Sequence, residues 1–154
     1  MIFVALGTQD KSFKRLLELA EKIDTTDKII CQTGFTKYES SKLEIHDYFS
    51  VDEYNRIIKE ADVVITHGGV GTILSALSFN KKIIVVPRLK KYGEHQNDHQ
   101  LQVARVFKDN GHIVLFEDGD DINKILEKAM SFSPKSFVSN NNNFVNKLKS
   151  YLDL

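Results

Sequence analysis

Residues 61–77 read ADVVITHGGVGTILSAL, and this stretch decides the fold. An apolar run closes at Thr66-His67. Gly68, Gly69 and Gly71 follow, three of the eight glycines in the chain, and an apolar pattern with helical spacing begins at once. A buried strand, a glycine turn and a helix in that order form the unit from which parallel α/β sheets are built. Glycines here let backbone approach a ligand closely. The first N–H groups of the following helix then point outward without partners inside the helix, where its dipole favours an anion. Thr72 adds a hydroxyl. The stretch is neither a Walker loop, since no Gly-Lys-Ser/Thr follows, nor a G-x-G-x-x-G fingerprint. A second reading stays open, in which the glycines serve only a tight turn.

The same alternation extends in both directions. Strands are expected at 2–6, 28–33, 42–48, 62–66, 82–87 and 112–117. Helices are expected at 12–23 with Ser12 as N-cap, at 50–61 with Ser50 and Glu53 as a capping box, at 71–80, at 94–111 ending on Gly111, and at 120–132. The strands are continuously apolar and the helices lie between them. That pattern calls for a doubly wound parallel sheet covered on both faces, an α/β domain over 1–138. An Asn-rich linker then leads, within 139–154, to an amphipathic helix bearing Phe144, Val145, Leu148, Tyr151 and Leu152.

Bulk properties narrow the function classes. With 154 residues the chain has room for one domain and its core. Twenty-one basic and 21 acidic residues cancel, so no overall field attracts nucleic acid or an anionic membrane. The local run Arg88-Leu89-Lys90-Lys91 is the exception. Cys31 has no second cysteine to pair with and sits in an apolar run, as a buried thiol in a reducing compartment would. Met1 runs straight into IFVAL with no basic n-region, so no signal peptide is expected. No apolar stretch reaches the roughly 20 residues of a membrane-spanning helix.

Ligands of such sheets bind beyond the carboxyl ends of the strands. The segments to inspect are therefore Gly7-Thr8-Gln9, Thr33-Gly34, His67 to Thr72 and Arg88 to Gln100. Gly7-Thr8 repeats, more weakly, the turn at 68–72. The segment EHQNDHQ, Glu94 to Gln100, is seven polar residues in a row. Its carboxylate and amide groups suit sugar hydroxyls, or else a solvated helix start. His95 and His99 are spaced to share one helical face, and Glu94 or Asp98 would add oxygen for a metal. Neither H-E-x-x-H nor a cysteine supports that metal reading. His67, at a strand end beside glycines, is a candidate general base or a group that shapes the loop and faces a phosphate.

Taken together, VALGTQDKSFKRL, ADVVITHGGVGTILSAL and KKIIVVPRLKKYGEHQNDHQ resemble the C-terminal, donor-binding domain of family 28 glycosyltransferases. The likeness covers roughly residues 1–130 and keeps the motif order of the family. It is closest to the short stand-alone subunits: Alg13-like ones of N-glycan assembly, and PssE- or CpsG-type ones of bacterial polysaccharide synthesis.

The resemblance implies a Rossmann-like half of a GT-B enzyme that binds a UDP-sugar as donor substrate, with no other cofactor and no metal. The diphosphate would lie at Gly68, Gly69, Val70, Gly71 and Thr72, with Gly7 and Thr8 facing the cleft. His99 and Gln100, then Glu94 and His95, would read the sugar. His67 and Arg88 are the candidate catalytic groups, acting on the charge of the departing UDP. Many relatives carry a ribose-binding glutamate where Ser75 stands here. The acceptor-binding half would be a separate, membrane-associated glycosyltransferase subunit, holding this chain at the cytoplasmic face of the membrane. The exposed partner surface would then allow isolated chains to pair as a homodimer. The reaction expected is hexose transfer, galactose being one candidate, to a lipid-linked saccharide in capsule or exopolysaccharide synthesis. The alternatives are a non-catalytic activator subunit and a UDP-N-acetylglucosamine transferase subunit of the Alg13 type.

Overall fold

The computed structural model describes residues 1–137 together with Asn146, Leu148 and Ser150. The linker expected at 139–143 and most of the C-terminal helix lie outside the described residues. Of that helix's apolar set, Leu148 is described, and it is buried in the core.

The elements alternate as β1 (Ile2–Ala5), α1 (Lys14–Glu21), β2 (Ile29–Gln32), β3 (Glu44–His46), α2 (Val51–Glu60), β4 (Val63–Thr66), α3 (Val70–Ser78), β5 (Lys82–Val85), α4 (His99–Asp109), β6 (Val114–Leu115) and α5 (Ile122–Ser131). A 3-10 turn, Lys90–Tyr92, follows β5. The six strands form one sheet in the order β3-β2-β1-β4-β5-β6, and every pairing is parallel. The expected doubly wound α/β architecture is present.

Both faces of the sheet are covered because successive side chains of a strand point to opposite faces. Ile2 and Val4 of β1 and Val63 and Ile65 of β4 pack with Leu16, Leu17 and Ala20 of α1 and Ala129 of α5. Phe3, Ala5 and Val64 point the other way, against Ile57 and Ile58 of α2, Ile73 and Leu77 of α3, and Val103 and Phe107 of α4. A strand buried on both faces cannot alternate with polar residues, which is why these runs read as continuously apolar. Cys31 lies in the first of these layers, and burial pushes its thiol up to about 12, keeping it protonated.

Two helix starts differ from expectation. Ser12 does not cap α1; the helix opens after Phe13, whose N–H donates to Thr36 Oγ1 at 2.9 Å. Of the capping box expected for α2 one half is present, with Ser50 Oγ accepting from Glu53 N–H at 3.2 Å. The largest difference is α4, which begins at His99 and not at residue 94. Asn97 Oδ1 accepts from His99 N–H and Asp98 Oδ1 from Lys90 N–H, so these side chains hold bends in place of a helical turn. His95 and His99 consequently do not share a helical face. Among the described residues no helix is long and apolar enough to cross a membrane.

The chain order creates a switch point between β1 and β4. From β1 it moves outward through β2 and β3, then returns to place β4 on the other side of β1. The turns after these two strands diverge and leave a crevice at their carboxyl ends, where doubly wound sheets hold ligands.

Candidate functional site

Two glycine turns meet at this crevice, and His67 lies against both. Gly7, with φ +83°, turns the chain after β1; a Cβ there would stand 2.5 Å from His67 Nε2. A Cβ on Gly69 would stand 2.2 Å from His67 Cε1. Neither position admits a side chain while the imidazole keeps its place. Gly68 is closed in the same way by the backbone and Cβ of Gln100, both 2.7 Å from a Cβ on Gly68. Gly71 is different, because a Cβ there meets nothing within 4 Å. It opens onto the cleft.

His67 is 6% exposed, and its Nδ1 lies 3.1 Å from Gln100 Nε2. Burial, with the nearby Arg88 charge adding to it, pushes the imidazole down to about 4, so it is neutral at pH 7. The other end of the Gln100 amide accepts from Gly68 N–H at 2.9 Å and from Arg88 N–H at 3.1 Å. One buried side chain thus ties the glycine turn to the segment after β5.

A cleft of about 510 Å³ opens beside this arrangement. From the sequence-predicted set, Gly7, Thr8, His67, Gly69, Gly71 and Thr72 line it. The start of α3 faces it with no side-chain cap and no acidic residue in its first turn. Gln9, which follows the β1 turn in the segment marked for inspection, lines the cleft too, and four further lining residues were not anticipated: Gln32, Tyr48, Phe49 and Tyr54. Gln32 Nε2 donates to the carbonyls of Gly7 and Asp47, and Gln32 Oε1 accepts from Gly7 N–H, which fixes the β1 turn. Its signal in the sequence was a polar residue directly after the apolar Ile29-Ile30-Cys31 at the end of the run KIICQT. Tyr48 is exposed and Phe49 half-buried, and together they give the cleft an aromatic side. Ser75 also lines the cleft, so a hydroxyl stands at the position where the resemblance implied a carboxylate.

The remaining sequence-predicted residues lie elsewhere. Gly68, Val70, Arg88, Glu94, His95, His99 and Gln100 do not line this cleft. Arg88, expected as a catalytic group, is 1% exposed. Its guanidinium donates to the carbonyls of Leu6, Lys11 and Glu94 at 2.9, 2.7 and 3.1 Å, and it stacks 4.9 Å from the Phe13 ring. Those donors hold loops together and are not free for a leaving group. Glu94, expected to read sugar hydroxyls, is buried and receives both prongs of Arg15: Nε to Oε2 and Nη2 to Oε1, each at 2.9 Å. Its Oε1 also accepts from Leu89 N–H at 3.0 Å. His95 Nδ1 accepts from Asn97 N–H, and His99 is half-buried at the start of α4. A second cavity, of about 360 Å³ and lined by Leu89, Leu101 and Phe116 among others, contains none of the residues expected to hold the donor; Asp98, named for the metal reading, lines it.

Comparison with known proteins places this geometry in a family. The profile of the glycosyltransferase family 28 C-terminal domain matches residues 1–153. The chain is 31% identical over 128 residues to the human UDP-N-acetylglucosamine transferase subunit ALG13, covering 73% of the chain and 10% of that protein. It is 43% identical over 58 residues to the Candida glabrata protein of the same name, covering 38% of the chain and 27% of the relative. Such curated relatives are matched over less than half their own length, 42% for the Debaryomyces hansenii protein. Among solved structures, an NMR structure of ALG13 superposes with TM-score 0.59 at 21% identity, covering 96% of this chain and 94% of that one. The spinosyn forosaminyltransferase SpnP superposes with TM-score 0.58 at 16% identity, covering 98% of this chain and 39% of the enzyme. The six-stranded parallel sheet thus resembles the C-terminal half of GT-B glycosyltransferases.

Proposed function

The chain belongs to the glycosyltransferase family 28 C-terminal domains, and on that premise we propose that it is the donor-binding subunit of a two-component UDP-sugar glycosyltransferase. The observation that carries the reading is the uncapped start of α3 at Gly69–Thr72, open to a 510 Å³ cleft at the switch point of the sheet. A diphosphate set there would receive the first-turn N–H groups and the Thr72 hydroxyl. The uracil would lie toward Tyr48 and Phe49. Charge developing on UDP as the sugar leaves would meet donors already in position, which is electrostatic catalysis without reorganisation.

His67 serves this reading as a hydrogen-bond donor and not as the general base. A base working near pH 7 needs a pKa near 7, and burial holds this imidazole at about 4. The base and the acceptor site then belong to a partner subunit across the cleft, which would also bring the chain to the membrane. The curated relatives are named for UDP-N-acetylglucosamine transfer. That supports UDP-N-acetylglucosamine as donor in preference to a galactose donor in capsule synthesis.

Titration of the ¹⁵N-labelled chain with UDP and with UDP-N-acetylglucosamine tests the proposal. The expected result is saturable shifts of the Gly7, Gly69, Gly71 and Thr72 amides. Absence of shifts, for the chain alone and in complex with its partner, would leave the activator reading in its place.

A further inference from the structure

We infer that Gln100 is a positioning residue that sets the tautomer of His67, so that the imidazole offers Nε2–H to the anion-binding end of the cleft. The inference rests on the reading of that end as the diphosphate site. It departs from the sequence-based expectation that Gln100 reads sugar hydroxyls.

Hydrogen-bond accounting carries the argument. An amide side chain has one accepting end and one donating end. At Gln100 one end faces two backbone donors, Gly68 N–H at 2.9 Å and Arg88 N–H at 3.1 Å. A backbone N–H only donates, so this end must be the carbonyl oxygen. Turned about, the amide would set its NH₂ against two buried N–H groups and strand all three. The NH₂ is therefore the end that faces His67 Nδ1 at 3.1 Å. A nitrogen that receives a hydrogen bond carries no proton, so the proton of the neutral ring is on Nε2.

The packing fixes where that proton points. Nε2 is the ring atom nearest the site a Gly7 Cβ would occupy, and Gly69 closes against the ring from its own turn. With both turns in contact, the ring cannot rotate away without moving backbone. His67 is also one of the residues lining the cleft. The charged and titratable neighbours act in the same direction, since Arg88 and His95 both disfavour an imidazolium at this position. The result is one oriented neutral donor beside the bare start of α3. It is fixed by a side chain that does not itself line the cleft.

The test reads the tautomer directly, without ligand. Long-range ¹H–¹⁵N correlation of the histidine-labelled chain at pH 7 should place His67 in the Nε2–H form. Gln100→Glu keeps the shape and both acceptor bonds, but puts a carboxylate oxygen against Nδ1, where a proton is then required. His67 should change to the Nδ1–H form, and UDP affinity should then fall about tenfold, the effect of one lost charge-assisted donor, whereas a doubly protonated ring would keep its Nε2–H and its affinity. The Gly68 and Arg88 amide shifts report whether the turn is intact, and Gln100→Met, which removes the restraint, should give a tautomer mixture. An Nδ1–H form in the wild-type chain, or a tautomer unmoved in both variants, overturns the inference. If the tautomer behaves as stated and UDP does not bind, the positioning role stands and the diphosphate reading fails.

Discussion

Tyr54 Oη donates to Thr72 Oγ1 across 3.2 Å, joining the middle of α2 to the first turn of α3 at the wall of the cleft. Burial raises the phenol above its ordinary range, so Tyr54 stays protonated. With its oxygen accepting from Tyr54, Thr72 is free to turn its own proton toward the cleft. Tyr54→Phe removes the restraint and little packing. UDP affinity should fall about three- to tenfold, while the loss of stability stays near 1 kcal/mol, the worth of one ordinary hydrogen bond. Calorimetric titration alongside a thermal melt measures both. Unchanged affinity would place the Thr72 hydroxyl outside the binding site.

The glycines of the turn separate into two kinds, and their variants should separate likewise. At Gly69 even a methyl group would meet His67 at 2.2 Å, so Gly69→Ala should disturb the turn and lower stability and binding together. At Gly71 there is open space. Gly71→Asp would place a carboxylate where the diphosphate is proposed to sit, and UDP binding should become undetectable. The same carboxylate suits a helix N-terminus by about 0.3–1 kcal/mol, so the melting temperature should hold or rise. Lost binding with raised stability is the diagnostic pair. Retained affinity would remove the phosphate from this turn.

The fold was legible in the sequence because the strands other than the edge strand β3 are largely buried and each turn is marked locally. Ser50 in α2 and Gly111 beyond α4 act within a few residues of themselves, and local patterns capture such signals. The site was legible only where it too is local, at Gly7-Thr8 and at 67–72. Glu94 looked like a ligand residue in a polar run, yet its partner Arg15 lies 79 positions away. Gln100 acts on Gly68, 32 positions earlier. Tyr48, Phe49 and Tyr54 were hidden for the opposite reason: an aromatic residue near a strand end or in an amphipathic helix reads as core, and only the cleft shows otherwise.

Arg15 and Arg88 together dock the 88–98 segment onto the connection after β1. Arg15 holds the Glu94 carboxylate with two bonds and also donates to the Pro87 carbonyl at 2.8 Å, while Arg88 reaches the Leu6 and Lys11 carbonyls. Arg15→Met would leave a buried carboxylate with Leu89 N–H, no ion-pair partner in contact and only the more distant pull of Arg88. Urea unfolding should show a loss of about 3 kcal/mol, as when one member of a buried pair is removed. Adding Glu94→Gln to that variant removes the stranded charge, keeps an acceptor for Leu89, and should recover part of the loss. A double variant no more stable than Arg15→Met would show that the guanidinium contributes through packing on Phe13 and Tyr92 alone.

His67 makes stability depend on pH in a predictable direction. Its folded value of about 4 lies below the ordinary 6.5 of an unfolded chain, because burial and Arg88 oppose the imidazolium. Between those values the unfolded chain binds a proton that the folded chain refuses, so protons favour unfolding. The contribution of the neutral ring is fully present above about pH 6.5, declines as pH falls, and is gone below about 4, where both states are protonated. A shift of this size corresponds to about 3 kcal/mol across the window. Urea unfolding of the wild-type chain at steps from pH 7 to pH 4 should show that slope added to the one carried by the carboxylates. His67→Gln keeps a side chain that can bond to Gln100 but cannot titrate, and should lose the histidine part of the slope. Parallel profiles for the two proteins would mean that the ring accepts a proton in the folded chain, against the burial and the Gln100 bond described for it.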